Sequence, residues 1–98
     1  MWEDLVEYLK DYHTDEREAI NCKELAQLYN VTSKQIRNIV SALRQDGAPI
    51  CSSSAGYWYS EDRVDLLRTL NKIRSQIRNM ERTAEGLERT LLELGADM

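Results

Sequence analysis

Apolar residues fall along this chain in three short helical rhythms, one alternating stretch and one long heptad. Trp2, Leu5, Val6 and Leu9 recur at intervals of three and four, which predicts an amphipathic helix over residues 2–12. The run HTDERE that follows is polar and reads as a connector, and Ala19 and Ile20 form either a short strand or a lead-in. Asn21, with Glu24 three positions on, has a loose form of the capping box. It opens a helix over residues 22–29, whose apolar side is Leu25, Ala26 and Leu28 or Tyr29. Asn30 can take the left-handed backbone that ends a helix. Thr32 then caps a third helix reaching Asp46, with Ile36, Ile39, Val40 and Leu43 as its stripe. Gly47 suits the position just past a helix end, and Pro49 prevents continuation.

After the third helix the period changes. APIC, residues 48–51, and GYWYS, residues 56–60, read as two strands around the flexible tip SSSA. Two short helices joined by a tight turn are the elements of a helix-turn-helix, and a hairpin packed on the second of them is a wing. Tyr57, Trp58 and Tyr59 alternate across a strand and are expected chiefly in packing, with a base-stacking platform as the other reading.

The last third carries Leu66, Leu70, Ile73, Ile77, Met80, Ala84, Leu87, Leu91 and Leu94, spaced 4, 3, 4, 3 throughout over four heptads. A helix over residues 61–94 would be about 50 Å long at 1.5 Å per residue. That exceeds what a winged domain of residues 1–60 can cover. Residues 61–98 are therefore expected to form a dimerisation helix through the nine stripe residues, with Val64 and Leu67 docking on the chain's own domain. Strand direction is open. With Leu70, Ile77, Ala84 and Leu91 at position a, a parallel pair brings no opposite charges together, whereas an antiparallel pair lets Arg74 meet the partner's Glu88 about a facing pair of Glu81 residues. Gly86 sits at an outward position.

The expected class is thus mainly α with a small β part: a winged helix-turn-helix followed by a long C-terminal coiled-coil helix. A chain of 98 residues, 42 % apolar and 31 % charged, fits one soluble domain with an appended helix. No apolar run reaches the roughly 18 residues of a membrane span, and the acidic start lacks the form of a secretory signal, so a cytoplasmic location is expected. Cys22, Cys51 and the single His13 have no metal-ligand spacing, and the two thiols are expected to be reduced. No nucleophile–base constellation or glycine-rich phosphate loop is present, so neither an enzyme nor a cofactor is expected.

The net charge of −4 argues against a polyanionic partner until it is divided along the chain. Residues 1–20 sum to −5, residues 21–58 to +2 and residues 59–98 to −1. The positive segment coincides with the helix-turn-helix and hairpin, and local field governs a binding face. On the third helix Gln35, Arg37 and Asn38 are types that read base edges, Ser33, Lys34 and Arg44 suit phosphates, and Ser41 is a further outward position. Lys23, Thr32, Ser53 and Ser54 complete the candidate DNA-binding set. Four cations in the middle segment imply few phosphate contacts per copy, so a dimer is expected to be needed for useful affinity.

The stretch from Ile20 to Ser60 resembles the winged helix-turn-helix at the N-terminus of biotin operon repressors and related bacterial regulators. The resemblance rests on Ile20, Leu25 and Ala26, then Val31 and Thr32, then Ile36, Leu43, Arg44 and Gly47, then Pro49, Ile50, Gly56 and Tyr57. It covers about 40 of the 98 residues. It implies the fold, duplex DNA as partner, and transcriptional regulation as a dimer. No ligase domain follows, so no enzymatic role is implied. The short length and helical tail look like those of a small phage or prophage-type protein. The other expectation, from a different class, is an adaptor in phage replication or packaging whose winged domain binds a protein.

Overall fold

The computed structural model describes residues 2–95. In chain order it has α1 (Glu3–Tyr12), a 3-10 turn (Glu16–Glu18), α2 (Cys22–Tyr29), α3 (Ser33–Gln45), β1 (Ile50–Ser53), β2 (Gly56–Tyr59) and α4 (Arg63–Gly95). The molecule is mainly helical, with one two-stranded antiparallel hairpin and a long C-terminal helix.

Each helix start is built as its residues dictate. The Asn21 side chain accepts from the Glu24 N–H at 2.8 Å and donates to the Glu24 carboxylate at 2.6 Å. Thr32 and Gln35 form a complete capping box, with Gln35 N–H to Thr32 Oγ1 at 3.1 Å and Thr32 N–H to Gln35 Oε1 at 2.8 Å. Between the two helices Asn30 adopts φ +55°, the left-handed geometry that closes α2 and sets the turn. The polar connector is more ordered than its sequence predicts: Asp15 accepts from the Arg17 N–H at 2.9 Å and nucleates the 3-10 turn.

The core lies where α1, α2, α3 and the hairpin meet. Leu5, Leu9, Leu25, Ile36, Val40 and Ile50 are buried there, and Ile20 and Ala26 complete the cluster. Trp58 and Cys51 are buried as well, while Tyr57 and Tyr59 are half-buried against the core. The alternation across β2 thus puts its aromatics into packing.

The hairpin departs from the expected strands in extent. Ile50 faces Tyr59, Cys51 faces Trp58, Ser52 faces Tyr57 and Ser53 faces Gly56. Ser52 and Ser53 are therefore strand residues, and only Ser54 and Ala55 form the tip. Ile20 adds a third, single-residue rung: its N–H bonds Tyr57 O at 3.0 Å and its carbonyl accepts from Tyr57 N–H at 2.8 Å. Gly56 makes that approach possible. It holds φ +129°, and a Cβ there would lie 2.4 Å from the Ile20 carbonyl oxygen.

The N-terminal turns of α4 lie against the opposite edge of the hairpin. The Ser52 N–H points away from β2 and donates to Thr69 Oγ1 at 3.2 Å, so the helix supplies the acceptor that the strand edge lacks. Thr69 is the buried residue of α4. Asp65 Oδ2 accepts from Trp58 Nε1 at 3.2 Å and from Ser60 Oγ at 2.9 Å. Val64 and Leu67, expected to dock on the domain, are exposed instead. The open N–H of Ser52 calls for a hydroxyl, and that places the Asp65–Thr69 side of the helix inward. Packing consequently crosses the expected boundary between residues 60 and 61.

Beyond Gln76 the helix leaves the domain. Leu70, Ile77, Met80, Leu87, Leu91 and Leu94 are all exposed, whereas Leu66 and Ile73 are half-buried. The radius of gyration is 17.4 Å, against about 13 Å for a compact chain of this length.

Candidate nucleic-acid interface

Four elements converge on one cleft of about 420 Å³: the start of α2, one side of α3, the hairpin and α4. Its cations are Arg37 and Arg44 from α3 and Lys72 from α4, and its hydroxyls include Ser41, Ser53 and Ser54. No carboxylate among the described residues lines it. In a chain of net charge −4 this is a local concentration of positive charge beside hydroxyl donors, which suits an anionic ligand.

Arg37 is exposed at the cleft, and the spacing of the stripe explains why. Ile36, Val40 and Leu43 turn the adjacent side of α3 toward the core, so the position after each of them, Arg37, Ser41 and Arg44, falls along the cleft. Arg44 has another task. Its Nε donates to Ile50 O at 2.7 Å and its Nη2 to Ser52 Oγ at 2.9 Å, and the guanidinium lies 5.9 Å from the Tyr57 ring centroid. Burial presses its pKa below the ordinary guanidinium range, and the neighbouring Tyr57 opposes that shift. Arg44 thus rivets the end of α3 to β1 and offers the cleft only part of its fork.

The other sequence-derived candidates separate into two groups. Thr32 and Gln35 are joined in the capping box, which occupies the threonine hydroxyl and the glutamine amide oxygen. Adenine recognition by a glutamine uses both ends of the amide; here only its N–H₂ stays uncommitted. Ser33 is half-buried, and its carbonyl accepts from Cys22 Sγ at 3.2 Å. Lys34, Asn38, Ser41 and Lys23 are exposed, and Ser41 alone of these four also lines the cleft. Ser53 Oγ accepts from the Ala55 N–H at 3.1 Å and Ser54 is exposed at the tip. The structure therefore gathers Arg37, Ser41, Arg44, Ser53 and Ser54 around the cleft and leaves Lys34 and Asn38 on the neighbouring open face of α3.

Sequence reasoning missed Lys72 and Gln76, which bring α4 into the cleft. In the heptad they occupy the c and g positions, outside the apolar stripe, and a reading of α4 as a pairing helix gives them no role. The signal that finds them is Thr69. A β-branched hydroxyl residue one turn before Lys72, on the same side of the helix, marks the side that meets the hairpin.

The flank of the cleft carries an acid. Glu16, on the 3-10 turn, sits 3.3 Å from Arg68 Nη1. The Ser53 hydroxyl, and after it Arg68, hold its carboxyl below the usual range. Glu16 is thereby matched by Arg68 rather than by Arg37 or Lys72.

Among the described residues the chain is thus mainly helical with a two-stranded hairpin and a long C-terminal helix, and Arg37, Arg44 and Lys72 meet in the cleft between them. No family model, curated protein or solved structure matches it. No helix among the described residues is long and apolar enough to cross a membrane.

Proposed function

We propose that this chain binds duplex DNA as a homodimer and acts as a small cytoplasmic regulator of transcription of bacterial or phage origin. The observation that carries the reading is the carboxylate-free cleft of Arg37, Arg44 and Lys72 next to the open Lys34–Asn38 face of α3. Its charge and hydroxyls suit a phosphate backbone at the cleft, with Arg37 and the neighbouring exposed Asn38 toward base edges. The resemblance of residues 20–60 to the winged domains of biotin operon repressors supports the same reading. Few cations line this face per copy, so pairing through α4 supplies the second set of contacts.

The test is fluorescence anisotropy of the purified protein with mixed duplex DNA over a range of salt concentrations. Binding that falls steeply with salt is expected, and Arg37→Ala and Lys72→Ala should each lower the slope of log K against log salt by about 1. No binding at micromolar protein and low salt overturns the reading. Two observations favour a second reading, an adaptor that binds a protein in phage replication or packaging: the hairpin tip, Ser54 and Ala55, has no cation, and residues 1–20 carry a net charge of −5. An adaptor would bind no duplex and would retain a protein partner through α1 and the 3-10 turn.

A further inference from the structure

We propose that α4 pairs with α4 of a second copy in antiparallel orientation, in the register that seats Ala84 against the partner's Met80. The inference rests on the dimer reading above and adds its direction and register.

The first support is the size of the layers. In an antiparallel pair each a position faces a d position of the other helix. With Ala84 opposite the partner's Met80, the remaining layers are Leu70 with the partner's Leu94, Ile77 with the partner's Leu87, and Leu91 with the partner's Ile73. Every layer then repeats by symmetry, and the one small residue of the stripe meets its one long flexible side chain. A parallel pair stacks Ala84 on the partner's Ala84 and leaves a gap in the middle of the seam.

The second support is charge. In the antiparallel register Arg74 lies beside the partner's Glu88, and symmetry makes that pair twice. In a parallel pair the residues beside Arg74, Glu81 and Glu88 are Thr69, Gln76 and Thr83, which are uncharged. The facing Glu81 residues at the dyad remain in water.

The third support is the free surface. Leu70, Ile77, Met80, Leu87 and Leu91 are exposed in one copy, at 42 % for Leu70 and 69 % for Leu91. The stripe runs without a break into an apolar groove formed by Val64, Leu66, Leu67 and Leu70 on the first turns of α4. In this register the partner's last described turn reaches that groove. The domain grips the helix at Thr69, on the flank of the seam, and half-buries Ile73 of the stripe, while Leu70 and the stripe from Ile77 onward stay uncovered.

The test is disulfide trapping in a Cys22→Ser background, with Cys51 shielded by its burial, alongside sedimentation of the unsubstituted chain. Ile77→Cys and Leu87→Cys are made separately. The antiparallel register predicts a covalent dimer when the two proteins are mixed and oxidised. It predicts none from either alone, because the two copies of residue 77 would then lie about 15 Å apart along the coil and a disulfide spans about 4.4–6.8 Å between Cα atoms. Crosslinking of each single variant with itself means a parallel pair and overturns the inference while the dimer reading stands. A sedimenting dimer with no crosslink in any sample overturns the register. A monomer by sedimentation overturns both.

Discussion

Replacing Gly56 by alanine tests whether the rung between Ile20 and Tyr57 is what ties the N-terminal part of the chain to the hairpin. Two costs add. The backbone at φ +129° is one that L side chains avoid, worth about 1–3 kcal/mol. The new Cβ would also lie 2.4 Å from Ile20 O and 2.5 Å from Ile20 C, both backbone atoms that cannot swing aside. Ile20 must then part from Tyr57, giving up two bonds of 3.0 and 2.8 Å at about 0.5–1.5 kcal/mol each. The expected loss is about 2–6 kcal/mol. At about 4–8 °C per kcal/mol for a domain of this size, Tm should fall by at least about 8 °C. Gly47→Ala is the control. Gly47 also has a positive φ, +97°, but a Cβ there meets nothing within 4 Å, so only the conformational cost of about 1–2 kcal/mol applies. Thermal unfolding followed by circular dichroism, with Trp58 fluorescence as a second probe, measures both. Equal shifts for the two variants would refute the argument from close approach, since conformation alone would then account for Gly56.

Thr69→Val keeps the shape of the side chain but removes the acceptor of the Ser52 N–H, so urea unfolding should show a loss of about 1–3 kcal/mol, with Thr69→Ser near wild type. Arg44→Met keeps the aliphatic stem and removes the bonds to Ile50 O and Ser52 Oγ; stability should fall by about 1.5–3 kcal/mol, whereas Arg37→Ala should leave Tm unchanged. An Arg44→Met protein of wild-type Tm that had lost duplex binding would make Arg44 a phosphate ligand instead of a rivet. Glu16 has a folded-state pKa below its ordinary 4.5, so its contribution is fully present above that value and is lost as pH falls through the lower folded value. Glu16→Gln should therefore lower stability at neutral pH, leave it near wild type below the folded value, and so flatten the acid limb of the stability curve.

α2 and α3 were legible because each start is a local hydrogen-bonding event: Asn21 and Thr32 bond within their own first turns, and Asn30 closes α2 by itself. α1, which has no side-chain cap, was legible from its apolar spacing alone. The stripe of α3 was legible for the same reason, since a buried face repeats at the helical period. Contacts between distant segments were not. Nothing near Ile20 states that it pairs with Tyr57, and nothing near Arg44 states that its fork is taken by Ile50 and Ser52. The apolar positions Val64 and Leu67 pointed to the wrong side of α4, because hydrophobicity was used where the unmet need was an acceptor for one N–H. Gln35 has two readings in sequence, cap partner and base reader, and the structure ties its amide oxygen to the nearer one. Lys72 entered the candidate site only through the packing of α4, which begins 18 residues after the end of α3.

The way α4 covers β1 also sets where the chain can be cut. A protein ending at Ser60 would keep the whole helix-turn-helix and both strands. It would lose Asp65 from the Trp58 indole and Thr69 from the Ser52 amide. A hairpin with an open N–H on a bare edge can add a strand from another molecule. Such a fragment should come together edge to edge and precipitate as its concentration rises, and the shortest well-behaved piece should extend through the turn that carries Gln76.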